Sequence, residues 1–279
     1  MAIISGHHPL AFTFGLLGNI VSFMVYLAPL PTFYTVYKRK NTEGFQSLPY
    51  VVALFSAMLW LYYSFIKPNG SGSMLLTINS IGCVIETLYI IIYLIYAPRP
   101  SKILTFQLLF LLNVAVFGAI VLFTILFSEG AKRVTVVGWI CSAFAVSVFA
   151  APLSIMRLVI KTKSVEYMPI SLSFSLTLCA IMWFFYGLLM KDPYVACPNI
   201  LGFAFGIAQM ALYIVYRDAK PKTDVISEIK LAELVIDIDL STKEDLKTQP
   251  SINDTIKQEE TETQENVADK VTVPNDCKV

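Results

Sequence analysis

Two tryptophans and two asparagines lie in apolar stretches of this chain at almost the same spacing. Trp60 and Trp183 are 123 residues apart, and Asn79 and Asn199 are 120 residues apart. A tryptophan ring suits stacking on the C–H face of a sugar ring, and an asparagine amide can donate to and accept from hydroxyl groups. The four residues therefore predict an uncharged pocket that reads hydroxyl groups. The alternatives are an interfacial aromatic belt for the tryptophans and interhelical hydrogen bonds for the asparagines.

Small side chains lie near each tryptophan. Ser56 and Cys179 precede the two tryptophans by four residues, which places them one helical turn away on the same face. Val25 and Val148 face them if the helices pack as expected, although ordinary packing would use the same residues. Their small size leaves room for a bulky ligand.

Four prolines interrupt apolar stretches in a two-fold pattern. Pro29 and Pro152 lie at matched positions, and Pro49 and Pro169 each lie early in the helix that follows. Proline removes a backbone hydrogen bond and clashes with the preceding helical turn, so it bends or breaks a helix. A fixed kink explains one isolated proline, whereas four prolines in this pattern predict hinges.

The spacing of these residues reflects an internal repeat. A shift of 123 positions aligns the Ala-Pro-Leu at residues 28 to 30 with the Ala-Pro-Leu at residues 151 to 153, and it pairs the two tryptophans. After a three-residue shortening the alignment resumes and pairs the two asparagines. Each unit contains three helices, at residues 10–97 and 134–217, and the stretch 104–127 belongs to neither. Two such units have the same orientation in a membrane only if an odd number of spans links them, as in transporters with parallel repeats.

The composition places these units in a membrane. Hydrophobic residues make up 56% of the 279 residues and charged residues only 15%, and a helix of about 20 apolar residues crosses a bilayer. The first such segment lacks the features of a cleaved signal peptide. We therefore predict an all-α membrane protein with seven transmembrane helices, arranged as two parallel three-helix repeats joined by a linker helix (3+1+3). The predicted spans are residues 10–37, 46–66, 74–97, 104–127, 134–160, 168–190 and 194–216.

The charges predict the orientation and a separate tail. Lys and Arg remain on the cytoplasmic side; eleven lie in the odd-numbered connections and after the last span, against four on the opposite side. We therefore expect residues 1–9 to be extracellular, residues 98–133 to form the linker helix with its loops, and residues 218–279 to be cytoplasmic. This tail holds fifteen of the twenty acidic residues and has the composition of a disordered segment. Its stretch LVIDIDL could add as a strand to a partner, and Ser241 is a candidate phosphorylation site.

Other chemistry has little support in the sequence. There is no G-x-S-x-G elbow, phosphate-binding P-loop or H-E-x-x-H zinc pair, so we expect no enzymatic activity, no cofactor and no metal. Glu86 is the one acid well inside a predicted span, and its repeat counterpart is Gly206, so a structural or gating hydrogen bond is favoured over a proton relay. A retinal receptor would need a lysine within residues 194–216, which contain none. The cysteines lack metal-ligand spacing and are expected to be free; they are Cys83, Cys141, Cys179, Cys197 and Cys277.

Two long stretches carry a resemblance to a known family. They are GLLGNIVSFMVYLAPLPTFYTVYKRKNTEGFQSLPYVVALFSAMLWLYY and FAAPLSIMRLVIKTKSVEYMPISLS, one from each repeat. Over residues 10–217 the chain resembles the SWEET sugar transporters of plants, which implies the 3+1+3 fold and facilitated diffusion of sugars by alternating access. The implied substrate-binding residues are Trp60, Trp183, Asn79, Asn199, Ser56, Cys179, Val25 and Val148. The implied hinge residues are Pro29, Pro49, Pro152 and Pro169 on the cytoplasmic side, with Tyr186 and Asp192 at the extracellular gate.

The resemblance also implies a substrate and a membrane. Many hexose-preferring relatives carry the bulkier asparagine where this chain has Cys179, so a disaccharide is easier to fit. With its hydrophilic tail the chain is most similar to the sucrose-exporting plasma-membrane branch, and we expect a bidirectional uniporter of sucrose and hexoses that works mainly in efflux. A hexose-preferring or proton-coupled transporter is the alternative, and a seven-helix receptor is a remote one. The expected partners are a sugar, the lipid bilayer and a second copy of the chain, without nucleic acid; Gly202 and Gly206 could support packing within or between protomers.

Overall fold

The computed structural model describes residues 9–42, 44–166 and 168–219. Ten α-helices in this part form seven spans of membrane-crossing length and hydropathy, and the same residues contain no β-strand. The prediction of an all-α membrane protein with seven spans is confirmed, whereas LVIDIDL, Ser241 and Cys277 lie outside the described residues. The helices are α1 (Pro9–Leu27), α2 (Leu30–Arg39), α3 (Leu48–Ile66), α4 (Ser73–Tyr96), α5 (Arg99–Leu108), α6 (Phe117–Phe127), α7 (Gly130–Val148), α8 (Ala150–Thr162), α9 (Ile170–Leu189) and α10 (Pro193–Tyr216).

The first and fifth spans are broken at matched places beside the matched prolines. In the first span α1 ends at Leu27, and Pro29 precedes the first residue of α2. In the fifth span α7 ends at Val148, and Pro152 lies in the first turn of α8. A proline is tolerated in a first turn because its missing N–H would have no partner there. Each broken span therefore consists of a long helix followed by a short one.

The linker span connects the repeats and faces outward. It consists of α5, a π-helical segment (Leu109–Val116) and α6. Phe110 and Phe127 are each 66% exposed, as expected for a helix that contacts lipid. On its inner side the linker is hydrogen-bonded to α3 and to the residue before it. The Thr124 and Tyr62 hydroxyls are 2.9 Å apart, and the hydroxyls of Thr105 and of Ser47, the N-cap of α3, are 2.6 Å apart.

The two repeats contact each other through two equivalent helix pairs. Helix α1 of the first repeat packs on α9 of the second, and α3 of the first packs on α7 of the second. The internal repeat relates these two pairs to each other: α7 corresponds to α1 and α9 corresponds to α3, so the α1–α9 contact is equivalent to the α7–α3 contact. The largest buried cluster lies between the repeats and includes Leu59, Tyr63, Val137 and Val195. The interface between the repeats is therefore the core of the protein.

Two lysines close the short helices α2 and α8 in the same way. Lys40 and Lys163 both have positive φ angles, 57° and 56°, a left-handed conformation that ends a helix. The Nζ of Lys40 donates to the Tyr96 hydroxyl at 3.1 Å, and the Nζ of Lys163 donates to the Tyr216 hydroxyl at 2.8 Å. Each ammonium also lies over the ring of the same tyrosine, which adds a cation–π attraction. The basic end of each broken span is thereby bound to the third span of its own repeat, which is α4 in the first repeat and α10 in the second.

Candidate functional site

A cavity of about 230 Å³ lies between the two repeats. Its walls come from the first, second and third spans of one repeat and from the equivalent spans of the other, and none of the lining residues is charged. Twelve of the thirteen lining residues form pairs that the repeat relates to each other, so the cavity has approximate two-fold symmetry. The pairs are Ser22 with Ala145, Tyr26 with Phe149, Trp60 with Trp183, Leu75 with Val195, Ile78 with Pro198, and Asn79 with Asn199, and the unpaired residue is Ser56.

The two asparagines are held in equivalent ways. The amide nitrogen of Asn79 donates to the Leu75 carbonyl at 2.8 Å, and that of Asn199 donates to the Val195 carbonyl at 2.7 Å. Each amide thus uses one N–H on the preceding turn of its own helix, which orients the side chain. The second N–H and the carbonyl oxygen of each amide are left for a ligand.

The two tryptophans differ in their hydrogen bonds. The indole N–H of Trp183 donates to the Ser22 hydroxyl at 2.9 Å, and the Ser22 hydroxyl is 3.1 Å from the Cys179 sulfur. Trp60 is partly buried, and its indole N–H has no hydrogen-bond partner within the part of the chain that the structure describes. Trp183 is therefore fixed across the interface between the repeats, whereas Trp60 keeps a free donor.

Hydroxyl groups are concentrated on one half of the cavity. In three matched positions the first repeat carries a hydroxyl group and the second repeat does not. The pairs are Ser22 with Ala145, Tyr26 with Phe149, and Ser56 with Cys179. The first repeat is therefore richer in hydroxyl groups, while each repeat presents one tryptophan and one asparagine to the cavity.

Pro198 lines the cavity from inside α10 and leaves one backbone carbonyl without its helical partner. A proline lacks the N–H that would bond the carbonyl four residues earlier, here that of Tyr194. The hydroxyl of Ser142 on α7 donates to this Tyr194 carbonyl at 2.7 Å. A neighbouring helix thus satisfies the group that the proline frees, as a membrane interior requires.

A cluster of polar side chains joins the repeats at the end of the bundle away from the four prolines. The Nζ of Lys67 lies 2.6 Å from Oδ2 of Asp192, and the Tyr63 hydroxyl donates to the same oxygen at 2.9 Å. In the reverse direction, the Tyr186 hydroxyl donates to the Ser71 carbonyl at 3.2 Å. We call Tyr63, Lys67, Ser71, Tyr186 and Asp192 the gate cluster. The two tyrosines are repeat partners, so each repeat donates one tyrosine hydroxyl to an acceptor in the other repeat.

Asp192 has a second role in the gate cluster. Its Oδ1 accepts hydrogen bonds from the backbone N–H groups of Tyr194 and Val195, so it caps the N-terminus of α10. A capping carboxylate satisfies otherwise unpaired N–H groups and is favoured by the helix dipole. The same side chain therefore fixes the start of a cavity-lining helix and binds the opposite repeat.

Each cavity tryptophan touches a gate tyrosine. Trp60 lies edge-on to Tyr63 with ring centres 5.7 Å apart, and Trp183 lies edge-on to Tyr186 with ring centres 5.3 Å apart. Such T-shaped contacts are favourable and directional. A ligand that displaces a tryptophan ring would press on the gate cluster one helical turn away.

The structure separates the residues that the sequence singled out. Trp60, Trp183, Asn79, Asn199 and Ser56 lie together in the cavity wall. Three further predicted residues are not among the residues that line it: Cys179 lies behind Ser22, Val25 is partly buried, and Val148 is 39% exposed. Helix α1 presents Ser22 and Tyr26, four residues apart, to the cavity, so Val25 falls on the flank of that face.

The prolines, Glu86 and the glycine pair also lie away from the cavity. Pro29 and Pro152 are partly buried at the helix breaks, and Pro49 and Pro169 are exposed. The hydrogen bond expected of Glu86 is not formed in this conformation, because its buried Oε2 has no partner among the described residues. Gly202 faces Ala180 and Phe149, and Gly206 faces Thr177 on α9, so both glycines pack within the protomer.

Sequence reasoning identified five of the thirteen lining residues, and the two hydroxyl-bearing residues that it missed are Ser22 and Tyr26. Their repeat partners are Ala145 and Phe149, so a search for identical residues at matched positions passes over them. The available signal was their position, since Ser22 and Tyr26 are one helical turn apart on either side of Val25, a residue that the sequence had already singled out.

The fold and the cavity together define the class of protein. Two parallel three-helix repeats with an uncharged polar cavity between them, closed at one end by contacts that join the repeats, are the arrangement of an alternating-access membrane transporter. A family model described as "Sugar efflux transporter for intercellular exchange" matches residues 12–101 and 135–221. The chain belongs to this family. Because its members are transporters, the expectation that the chain is not an enzyme is confirmed.

Individual relatives agree with this assignment. The chain is 62% identical over 221 residues to the bidirectional sugar transporter SWEET13 of Oryza sativa subsp. japonica, covering 79% of this chain and 74% of that protein. It is 56% identical over 240 residues to the bidirectional sugar transporter NEC1 of Petunia hybrida, covering 85% and 89%. A solved structure of a eukaryotic SWEET transporter is 35% identical and superimposes with a TM-score of 0.70 over 75% of this chain and 97% of that one. The predicted family and the 3+1+3 fold are confirmed.

Proposed function

We propose that this protein is a bidirectional uniporter that moves sucrose, and hexoses less well, across the plasma membrane, mainly as efflux. The observation that carries the proposal is the uncharged cavity with matched tryptophans and asparagines at the interface of the repeats. Aromatic faces and amides without a net charge suit a neutral ligand rich in hydroxyl groups. The relatives named as bidirectional sugar transporters support the same substrate class.

In this proposal the sugar lies between the two tryptophans and is bound by the free donors and acceptors of the two asparagines. Ser56 contributes a hydroxyl, and the small Cys179, Val25 and Val148 determine how wide the site becomes. The present cavity of about 230 Å³ is below the roughly 300 Å³ at which ligand pockets begin. A disaccharide therefore requires the repeats to move apart at one end, which is the motion of alternating access.

The gate cluster and the prolines are assigned to opposite ends of this motion. We assign Tyr186 and Asp192 to an extracellular gate, and Pro29, Pro49, Pro152 and Pro169 to cytoplasmic hinges. The assignment uses the predicted orientation, with residues 1–9 outside, the repeats at 10–97 and 134–217, the linker at 98–133 and the tail at 218–279 in the cytoplasm. The excess of basic residues on the proline side supports it.

Transport by the full-length chain in liposomes tests the proposal. Uptake and release of labelled sucrose are expected above the background of empty liposomes, with unlabelled glucose as a weaker competitor. Asn199→Ala should lower the apparent affinity about tenfold, the effect of one lost hydrogen bond. Trp183→Ala should lower it further, whereas Trp139→Ala is the control, because Trp139 is 62% exposed outside the cavity. Absence of flux for every sugar would refute the proposal.

Proton-coupled transport is the second candidate, and the buried carboxyl of Glu86 is the observation in its favour. An intramembrane acid is by default a functional group. However, no carboxylate lines the cavity itself. Transport that persists after an ionophore collapses the proton gradient would support uniport, and transport that stops would support coupling through Glu86.

A further inference from the structure

An apolar groove of about 820 Å³ lies between α8 and α10 on the second repeat. It is separate from the central cavity, with which it shares no lining residue. Its volume is within the roughly 300–1,000 Å³ of binding sites for small organic ligands. The walls that matter here are Leu153, Ser154 and Arg157 on α8, and Ala208, Ala211 and Val215 on α10.

The groove belongs to the second repeat because its side chains are smaller there. On α10, Ala208 and Ala211 occupy the positions that Leu88 and Ile91 occupy in α4 of the first repeat. Those two larger side chains are present on the surface of α4, 53% and 47% exposed. Alanine at both places removes bulk from one wall, and Ser154 opposite them has a short side chain as well. The groove is therefore a feature of this half of the molecule and not a consequence of the fold in general.

One wall of the groove carries a cation. Arg157 is exposed and replaces Tyr34 of the first repeat. Within residues 9–42, 44–166 and 168–219 it forms no ion pair or hydrogen bond with another side chain. A charge on the lipid-facing side of a span is costly unless it meets an anion or reaches the interface. Arg157 lies five residues before the end of α8, about 7.5 Å along the helix axis, so its long side chain reaches the level of lipid headgroups.

We propose that this groove is a binding site for an anionic phospholipid, with one acyl chain along Ala208 and Ala211 and the phosphate against Arg157. Acyl chains are already in an apolar medium, so the groove selects a lipid mainly through the charge of its headgroup. Basic pockets between spans on the cytoplasmic side bind such headgroups, and anionic lipids are concentrated in that leaflet. The choice of the cytoplasmic leaflet depends on the orientation proposed above. The groove and its cation are features of the structure that do not depend on that orientation.

Native mass spectrometry of the full-length chain tests the site with two probes that differ only in the headgroup. These are palmitoyl-oleoyl phosphatidylserine and palmitoyl-oleoyl phosphatidylcholine. The wild-type chain is expected to retain the serine lipid in preference to the choline lipid. Arg157→Gln should weaken retention of the serine lipid about fivefold, the effect of removing one cation beside an anionic lipid. Arg157→Lys should keep the preference because it keeps the charge.

Two further variants separate the groove from general surface charge. Ala211→Ile restores the side chain of the first repeat and should reduce binding of both lipids by filling the groove. Arg99→Gln removes an exposed cation on the same membrane side outside the groove and should change nothing. Equal binding of the two lipids to wild type, or unchanged binding in Arg157→Gln, would overturn the proposal. A change in oligomeric mass in Arg157→Gln or Ala211→Ile would also overturn it, because the occupant would then be a second copy of the chain.

The readout does not involve sugar. If the wild-type chain transports sugar but does not prefer the serine lipid, only this proposal fails. If it prefers the serine lipid but transports no sugar, only the proposed function fails. If Ala211→Ile does not fold, the Arg157 variants decide the matter alone, since they alter an exposed side chain.

Discussion

Replacing Asp192 by asparagine is expected to open the gate cluster without removing the cap of α10. The asparagine oxygen can take the place of Oδ1 and accept from the backbone N–H groups of Tyr194 and Val195, while its NH2 group takes the place of Oδ2, where it can donate to the Tyr63 hydroxyl. The change therefore keeps the cap and removes the negative charge together with the acceptor oxygen that faces Tyr63 and Lys67. Lys67, 2.6 Å away, is left without its ionic partner.

The size of the effect follows from the burial of this ion pair. The side chains of Lys67 and Asp192 are only 9% and 3% exposed, so Lys67 would remain largely desolvated after the substitution. Removing one partner of a buried ion pair costs about 3–5 kcal/mol. Because the pair lies at the end of the bundle, we take the lower value, about 3 kcal/mol, which shifts the ratio of open to closed gate roughly 100-fold. A gate that is open in about 1% of wild-type molecules would then be open in about half of them.

Accessibility of the cavity measures this shift. Ser56 lines the cavity on the inner side of the gate cluster, so Ser56→Cys should react with a membrane-impermeant thiol reagent only when the gate is open. In the Ser56→Cys chain, we expect Asp192→Asn to raise the labelling rate from the gate side up to 100-fold. The labelling rate of the matching chain that retains Ser56 is subtracted as background. Sugar flux should fall at the same time, because a transporter held in one state does not complete its cycle.

The double variant Lys67→Met with Asp192→Asn is the control. It removes both charges, so no unpaired ammonium is left in the gate, and the labelling rate should return toward that of the wild-type protein. The reasoning is refuted if Asp192→Asn labels within twofold of wild type. It is also refuted if the double variant is as open as the single one, since desolvated charge would then not be the cause.

Further substitutions test the cavity and the packing. Ser22→Ala removes the acceptor of the Trp183 N–H and leaves a buried donor unpaired, which costs about 1–3 kcal/mol of stability, so the melting temperature of the purified protein should fall; an unchanged melting temperature would contradict this. Leucine in place of either matched asparagine should weaken sugar binding to a similar degree, because their hydrogen bonds are equivalent; a large inequality would show that the cavity is used asymmetrically. A Cβ on Gly138 would lie 2.6 Å from the Tyr194 ring, so Gly138→Ala should cost about 1–3 kcal/mol and lower the melting temperature of the purified protein, while Gly118→Ala, with open space around it, should not.

The predicted spans agree with the structure because they depend on local properties. Hydropathy over about 20 residues determines whether a helix can cross the membrane, and this quantity is read from consecutive residues. The seven predicted segments and the seven observed ones differ only by a few residues at their ends. The breaks at Pro29 and Pro152 were also predictable, since proline acts on its own backbone. The contact of Lys40 with Tyr96 was not, because it joins residues 56 positions apart.

The cavity was predicted in part. Identity between the repeats identified the tryptophans and asparagines, because the same residue at matched positions indicates the same surroundings. It could not identify Ser22, whose partner is Ala145, or show that Cys179 lies behind it. The gate cluster shows the same limit, since Lys67 has no basic counterpart in the second repeat and its partner Asp192 is 125 residues away.

The sequence by itself determined the number of spans, the parallel repeat and the membrane family, because hydropathy, proline and repeat spacing are properties of the chain alone. Only the tertiary structure decided which apolar faces line the cavity, which form the lipid-facing groove and which pack in the core. The physical reason is that lipid tails and protein interiors are equally apolar, so composition does not distinguish an outward face from an inward one. That distinction arises when helices distant in sequence come into contact and leave space at some positions but not at others.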